Sequence, residues 1–257
     1  MSKTPKIVVT DLVKRFGTKT VLDGVNVDIE EGKSLVIIGG SGSGKSVLLK
    51  NIIGLMTPTS GSITIDGKET AYLTGKKREE AMHQFGYLFQ GGALFDSLPI
   101  WENVAFGLLQ GGMSRSDAKE QAIENLRSVG LDADVADLFS NNISGGMQKR
   151  VSLARAIATN PDILFFDEPT TGLDPITQDI INDLMVHTSK QVGATTITIT
   201  HNMKSAYKIA DKIAMLYEGK IIWAGHPDDI KDSGNAHVDQ LIHGKAEGPI
   251  QLALQDH

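Results

Sequence analysis

The segment GGSGSGKS at Gly39–Ser46 constrains the fold more than any other feature of this chain. It satisfies the pattern G-x-x-x-x-G-K-[ST], follows an apolar run at Leu35–Ile38, and precedes helical spacing of apolar residues from Val47 to Ile53. A glycine-rich turn between a strand and a helix directs backbone N–H groups at a bound phosphate. The segment therefore predicts an α/β fold with a phosphate-binding loop, the P-loop.

The P-loop residues have distinct expected roles. Lys45 is predicted to reach the β and γ phosphates of a nucleotide, and Ser46 to ligate Mg²⁺. ATP and Mg²⁺ are therefore the expected ligands. The residues expected to bind ATP are Gly39, Gly40, Ser41, Gly42, Ser43, Gly44, Lys45, Ser46 and Val47.

A second apolar run, Ile163–Phe166, ends in two acidic residues, Asp167 and Glu168. Doubly wound sheets bind their ligands at the carboxyl ends of the strands, so both acids are expected at the nucleotide site. Adjacent residues on a strand point in opposite directions, so Asp167 can serve the Mg²⁺ shell while Glu168 polarises the attacking water. The pattern predicts hydrolysis of ATP.

Composition and charge exclude several classes of protein. The chain has no cysteine, which excludes disulfides and thiolate metal sites and permits a reducing compartment. Its net charge of -6 argues against a nucleic-acid partner, since phosphate neutralisation needs a basic face. No apolar run approaches the ~20 residues of a membrane-spanning helix, and the N-terminus does not resemble a signal peptide. A role at a membrane is therefore expected to need partner subunits.

The apolar pattern divides the 257 residues into four segments. β-branched runs predict strands near the start, helical periodicity follows in the middle, and strands then alternate with helices as in a parallel sheet. The expected segments are an N-terminal β subdomain with the first part of the ATP-binding core (1–90), a helical subdomain (91–160), the second part of the core (161–225) and a C-terminal extension (226–257).

The segment ISGGMQKR, Ile143–Arg150, resembles the LSGGQ signature of ATP-binding cassette (ABC) proteins. The resemblance extends over nearly the whole chain. It implies a P-loop NTPase fold of ABC type, with a RecA-like core, an N-terminal antiparallel β subdomain and an inserted helical signature subdomain. It also implies that Ser144, Gly145 and Gly146 contact the γ phosphate of ATP bound to a second copy, through amides at a helix N-terminus. Met147 departs from the usual glutamine, which leaves any role of Gln148 open.

Three further residues resemble ABC site residues. Phe16 resembles the aromatic residue that stacks on adenine, Gln90 the glutamine that senses Mg²⁺ and the membrane partner, and His201 the switch histidine. TTGLD at 170–174 resembles the loop through which two subunits communicate. The catalytic residues implied are Glu168, His201 and Lys45, and the metal shell implied is Ser46, Gln90 and Asp167.

Two stretches resemble the ATPases of the Mla and Mce lipid-transport systems. They are GGALFDSLPIWENVAFGL at 91–108 and LIHGKAEGPI at 241–250, and those ATPases also carry SGGM in place of SGGQ. The resemblance implies a homodimeric ATPase that powers phospholipid transport between inner and outer membrane, peripheral on the cytoplasmic face of the bacterial inner membrane. The implied partners are a second copy, integral-membrane permease subunits, an Mce-domain lipid-binding protein and a small cytoplasmic accessory subunit, with no nucleic acid.

Several alternatives stay open at this level. The chain fits the ATPase of a polar amino-acid or other solute importer, and a soluble ABC ATPase without a permease. The apolar residues that follow Gln90 fit either a groove for a permease helix or the core of the helical subdomain. The extension after Gly225 has so few apolar residues that we expect it to pack on the partner ATPase or on an accessory subunit. The residues in the stretch after Gln90 are Leu94, Phe95, Leu98, Ile100, Trp101, Val104 and Phe106.

Overall fold

The computed structural model of the protein describes residues 5–251. The first four residues, and the last six residues (252–257) of the predicted C-terminal extension, lie outside that range. The strands are β1 (Pro5–Phe16), β2 (Lys19–Glu30), β3 (Ser34–Ile38), β4 (Ser60–Ile65), β5 (Lys68–Glu69), β6 (Phe85–Leu88), β7 (Ile163–Asp167), β8 (Thr195–Ile199), β9 (Lys212–Tyr217) and β10 (Lys220–Gly225). The α-helices are α1 (Lys45–Ile52), α2 (Gly75–Met82), α3 (Ile100–Val104), α4 (Phe106–Gln110), α5 (Arg115–Ser128), α6 (Gly145–Ile157), α7 (Pro175–Val192), α8 (Met203–Ile209) and α9 (Ala236–His243).

The strands form two sheets. One is four-stranded and antiparallel, in the order β2-β1-β4-β5. The other is six-stranded, in the order β10-β9-β3-β8-β7-β6, and is parallel except for β10. The predicted α/β fold, with an N-terminal antiparallel subdomain and a parallel core sheet, is confirmed. The limits of the four predicted segments remain predictions.

Strand order in the larger sheet determines which loops meet. Strands β3, β8, β7 and β6 are consecutive neighbours, so the loops that leave their carboxyl ends lie side by side. These loops carry the P-loop, His201, Glu168 and Gln90 respectively. Parallel sheets bind ligands at this edge. Four motifs that are distant in sequence therefore converge on one edge of the molecule.

Strand β3 is buried on both faces, which explains its continuous apolar sequence. Leu35 and Ile37 pack with residues of α1 and the antiparallel sheet in one apolar cluster. Val36 and Ile38 pack in a second cluster with residues of α5, α6 and α7. Alternate side chains of a strand point to opposite faces, so β3 joins the two cores and holds the P-loop rigidly between them.

The apolar spacing of residues 101–109 predicts one helix, but the structure divides this segment in two. Helix α3 ends at Val104 and α4 begins at Phe106, with Ala105 between them outside helical geometry. Apolar spacing alone does not reveal this break, because Ala105 is fully buried and fits the helical pattern.

The C-terminal extension packs on its own chain. Ile230 and Val238 are fully buried in the apolar cluster that also contains the helical segment. The side-chain amide of Gln240 donates to the carbonyls of Lys245 and Ile250 and accepts from the Ile250 N–H at 2.6 Å. These residues complete a core that other elements of the same chain have already formed. Contact between the extension and a partner subunit stays a prediction.

Helix α6 lies directly on strand β6. A Cβ atom placed on Gly86 would overlap the carbonyl oxygen of Ala156 and would lie 2.7 Å from the Leu164 side chain. Only glycine allows this approach between a strand and a helix backbone. The contact fixes the helix that carries the Ser144 segment to the strand that leads to Gln90.

Replacing Gly86 with alanine is expected to lower the free energy of unfolding by about 1 to 3 kcal/mol, because the added methyl group forces α6 away from β6. Urea unfolding followed by circular dichroism measures this change. Gly91→Ala is the matched control, since a Cβ there would meet no atom within 4 Å. Equal stability of the two variants would show that the helix and strand are not in obligatory contact.

Within residues 5–251, no helix combines the length and the apolar composition that crossing a membrane requires.

Candidate active site

The P-loop runs from β3 into α1. Gly39 has a φ of 155°, and a Cβ atom there would overlap the carbonyl oxygen of Leu216 on β9. Gly44 precedes the helix in the left-handed region, at φ 105°, and carries no side chain that could cap the first amides of α1. Those amides face the loop, and the buried hydroxyl of Ser43 has no hydrogen-bond partner within the described part of the chain. The loop therefore fits a phosphate group.

Lys45 folds back over the P-loop. Its ammonium donates to the carbonyls of Gly39 at 2.8 Å and Gly40 at 2.9 Å. Burial lowers the pKa of Lys45, and the negative charges of Glu168 and Asp167 oppose that shift. The ammonium thus lies close enough to both acids to interact with their charges. A phosphate bound between the P-loop and β7 would need a cation at this place.

Glu168 is held by two polar contacts at the end of β7. Its carboxylate oxygen Oε2 accepts from the Thr171 hydroxyl at 3.1 Å and lies 2.9 Å from Nδ1 of His201. The Glu168 side chain is 13% exposed, whereas His201 is 65% exposed, so the acid sits beneath the imidazole. Sequence reasoning missed Thr171, and the signal that could have found it is its position in the TTGLD loop.

The orientation of Glu168 does not come from strand geometry. Strand β7 ends at Asp167, and Glu168 has a φ of 48°, in the left-handed region. Its N–H donates to the carbonyl of Ile199 at 2.9 Å. The argument from alternating strand side chains is therefore wrong for this residue. Left-handed geometry costs free energy for a residue other than glycine and is often found at functional sites.

The residues predicted to hold Mg²⁺ meet at the same edge of the sheet. Burial raises the pKa of Asp167, as does the charge of Glu168, while the charges of Lys50, Lys45 and Lys149 oppose both. Among the described residues, no three acids, histidines or cysteines cluster as a metal site. Mg²⁺ usually takes one or two carboxylates and completes its shell with water and phosphate oxygens. The predicted ligands Ser46, Gln90 and Asp167 therefore fit this ion.

The Ser144 segment begins helix α6. The Ser144 hydroxyl caps the helix by accepting from the Met147 N–H at 3.3 Å, and both Ser144 and Gly145 are exposed. The first amides of α6 are therefore accessible to an anion from another molecule. Met147 instead packs against an apolar cluster, and the amide of Gln148 donates to the carbonyl of Ser140 at 2.9 Å. Met147, the departure from the usual glutamine, therefore contributes to the core, and Gln148 attaches the start of the helix to the preceding turn.

Phe16 lies at the tip of the β1–β2 hairpin and is 47% exposed. The ammonium of Lys14 lies 5.2 Å from the centre of its ring. The same hairpin touches the P-loop, because a Cβ on Gly44 would lie 3.0 Å from the carbonyl oxygen of Val21. An exposed ring on a hairpin beside the P-loop is available for stacking on a base, and this role stays a prediction.

The loop that carries His201 is braced from both sides. The buried hydroxyl of Thr200 accepts from the Asn202 N–H at 3.0 Å. The Asn202 side chain caps α8 by accepting from the Ser205 N–H and donates to Gln178 at 2.8 Å. These contacts fix the backbone around an exposed imidazole.

The chain is similar to known ATP-binding proteins of one family. The family model described as "ABC transporter" matches residues 22–171. The chain is 38% identical over 248 residues to a "Probable ribonucleotide transport ATP-binding protein" of Mycobacterium leprae, covering 96% of this chain and 71% of that protein. It is 34% identical over 247 residues to the "Intermembrane phospholipid transport system ATP-binding protein MlaF" of Haemophilus influenzae, covering 96% of this chain and 93% of that protein.

A solved structure is also similar over most of the chain. It is a dimeric ATP-binding cassette in a post-hydrolysis state with bound ADP and phosphate, and it superposes with a TM-score of 0.79 at 32% identity. The match covers 86% of this chain and 98% of that one.

Proposed function

The chain belongs to the ABC transporter family, and from that premise we propose that it is the ATPase of a transporter that moves phospholipid. The ABC-type fold, the ATPase activity and the requirement for ATP and Mg²⁺ predicted from the sequence are confirmed by the family match and the nucleotide-bound relative. The relatives transport different substrates by their printed names, so the cargo is the part of the function that has to be argued.

We propose that Glu168 accepts a proton from the water that attacks the γ phosphate. Thr171 and His201 fix its carboxylate by contacts of 3.1 and 2.9 Å. The exposed imidazole of His201 is available to donate a hydrogen bond to the γ phosphate above the acid. The ammonium of Lys45 is available to neutralise charge on the β and γ phosphates. Mg²⁺, held by Ser46, Asp167 and Gln90, would supply further charge neutralisation and orient the phosphates.

The exposed start of α6 supports a site completed by a second copy. Ser144 and Gly145 are accessible, and their helix N-terminus suits an anionic group. We propose that Ser144, Gly145 and Gly146 of one copy bind the γ phosphate of ATP on the P-loop of the other. The dimeric state of the solved relative supports this arrangement.

The observation that carries the lipid proposal is the similarity to MlaF, which spans 93% of that protein and 96% of this chain. It therefore includes the stretch 91–108 and most of the stretch 241–250, both of which resemble Mla and Mce ATPases. We propose that the protein lies on the cytoplasmic face of the inner membrane with permease subunits, an Mce-domain lipid-binding protein and a small accessory subunit.

The stretch after Gln90 divides between a core and an exposed surface. Ile100, Trp101 and Val104 are buried, so they belong to the core of the helical segment. Phe95 and Phe106 are 44% and 36% exposed, and their ring centres lie 4.9 Å apart. Two adjacent aromatic rings at the surface favour contact with another protein, and we propose that they meet the permease.

Affinity purification of the chain from detergent-solubilised native membranes, followed by mass spectrometry of proteins and lipids, tests this function. We expect a permease, an Mce-type protein and phospholipid in the same complex. A permease with a solute-binding protein would assign the chain to nutrient import. Recovery without any membrane protein would indicate a soluble ABC ATPase.

Replacing Phe95 and Phe106 together with serine is expected to weaken binding to the permease by at least about tenfold, because exposed aromatic residues often dominate such interfaces. The ATPase activity of the isolated chain should be retained. Co-purification with the permease measures the effect. Leu55→Ser is the matched control, since Leu55 is a similarly exposed apolar residue, at 48%, that lies elsewhere on the molecule. Undiminished co-purification of the double variant would assign the aromatic pair no part in this contact.

A further inference from the structure

Three side chains of α6 hold the loop that follows β6, here called the Gln90 loop (Gln90–Ala93). The ammonium of Lys149 donates to the carbonyl of Gln90. The hydroxyl of Ser152 donates to the carbonyl of Gly92 at 3.0 Å. The guanidinium of Arg155 donates to the carbonyls of Gly92 and Ala93, each at 2.7 Å.

The spacing of these donors follows from helix geometry. Lys149, Ser152 and Arg155 are three residues apart, so they form one strip along the helix. Lys149 is 6% exposed and Ser152 is fully buried. A buried carbonyl that loses its donor costs free energy, and charged donors make the stronger hydrogen bonds. The Gln90 loop is therefore attached firmly to α6.

The loop backbone needs this support. Ala93 has a φ of 47°, in the left-handed region, which is unfavourable for a residue with a side chain. Such geometry persists where surrounding contacts determine it. Arg155 supplies one of these contacts at Ala93 itself.

The loop continues directly to the exposed aromatic pair. The N–H of Phe95 donates to the Asn103 side chain at 2.7 Å, and the Asn103 amide donates back to the Phe95 carbonyl. Asn103 is fully buried in α3. The strip on α6 is therefore connected through a short, hydrogen-bonded segment to Phe95.

We propose that Lys149, Ser152 and Arg155 are positioning residues that couple occupancy of the trans ATP site at Ser144 to the permease-facing surface at Phe95. A displacement of the start of α6 on binding the partner's γ phosphate would carry the Gln90 loop with it, because the helix and the loop move as one unit. This proposal rests on the proposed function, which supplies the roles of Ser144 and Phe95.

The variant Arg155→Lys tests the coupling in the purified transporter complex. Lysine keeps the positive charge, but it lacks the planar guanidinium whose two NH₂ groups donate hydrogen bonds to the two carbonyls. We expect the ATPase rate of the isolated chain to stay within about twofold of the unaltered protein, and permease-dependent stimulation to fall by about 3- to 30-fold. Arg150→Lys is the matched control, because Arg150 lies on the same helix but donates to Gly130, outside the Gln90 loop.

A second measurement does not depend on the permease. The chain has no cysteine, so Ser97→Cys provides a single exposed site for a nitroxide label beside Phe95. We expect ATP to change the label's electron paramagnetic resonance line shape in a Glu168→Gln background, and Arg155→Lys to abolish that change while Arg150→Lys preserves it. Ser152→Ala replaces Arg155→Lys if the latter fails to fold.

The two measurements separate the possible failures. An unaltered line-shape response and unaltered stimulation in Arg155→Lys, or in Ser152→Ala where it replaces that variant, would overturn the proposed coupling. If the unaltered complex shows no permease stimulation, the proposed function fails. The spin-label measurement still tests whether the three α6 side chains transmit the effect of ATP binding to the segment at Phe95. A loss of ATPase activity in the isolated Arg155→Lys variant would also overturn the proposal, because it would indicate a structural effect on the active site.

Discussion

Glu168→Gln is expected to lower kcat for ATP hydrolysis by about 10²- to 10⁴-fold, the usual contribution of a positioned general base. Glutamine has nearly the same shape, and its amide oxygen can accept from Thr171 as the carboxylate does at 3.1 Å. It cannot accept a proton from the attacking water. ATP should therefore still bind, and the dimer should accumulate in its closed form.

Phosphate release measures the rate, and size-exclusion chromatography with ATP measures the dimer. Glu218→Gln is the matched control, because Glu218 also has a left-handed backbone, at φ 43°, but lies in the turn between β9 and β10. Unimpaired turnover in Glu168→Gln would remove Glu168 from the role of general base.

Lys45→Ala is expected to weaken ATP binding by about 10- to 100-fold, because hydrogen bonds to a charged donor contribute about 1.5 to 3 kcal/mol each. The ammonium now donates to two P-loop carbonyls and lies in the field of Glu168 and Asp167. Alanine removes one of the cations near these acids, so a triphosphate would meet more negative charge. Turnover should be lost together with affinity.

Titration with a fluorescent ATP analogue measures the affinity of this variant. Lys76→Ala is the control, since Lys76 is an exposed lysine on α2. Lys45→Arg separates charge from geometry, because arginine keeps the charge but not the fit to the loop. ATP affinity equal to that of the unaltered chain in Lys45→Ala would place the phosphates elsewhere.

Local sequence predicted the elements that carry the site. The strand, glycine-rich turn and helix around Gly39–Ser46 follow from short-range rules of hydrophobic periodicity and glycine geometry. The strand that delivers Asp167 is likewise a short apolar run, observed as Ile163–Asp167. The edge strand β6 and the break at Ala105 were missed, since their apolar patterns do not differ from those of other buried segments.

The contacts that orient the site were not predictable in the same way. The bond from Thr171 to Glu168 depends on a left-handed residue that no sequence pattern requires. The strip of α6 donors binds a loop about sixty residues earlier in the chain. The extension is anchored by Val238, a residue whose burial depends on a core formed by distant elements.

The sequence by itself determined the nucleotide chemistry, because the P-loop and the two acids at the end of β7 are contiguous motifs whose residue types fix which chemical groups are present. Only the tertiary structure decided how these motifs act together. Strand order placed Nδ1 of His201 2.9 Å from Oε2 of Glu168. Close packing at Gly86 brought α6 against β6. Such distances depend on pairing between residues far apart in the chain, which the folding of the whole core selects and no short segment encodes.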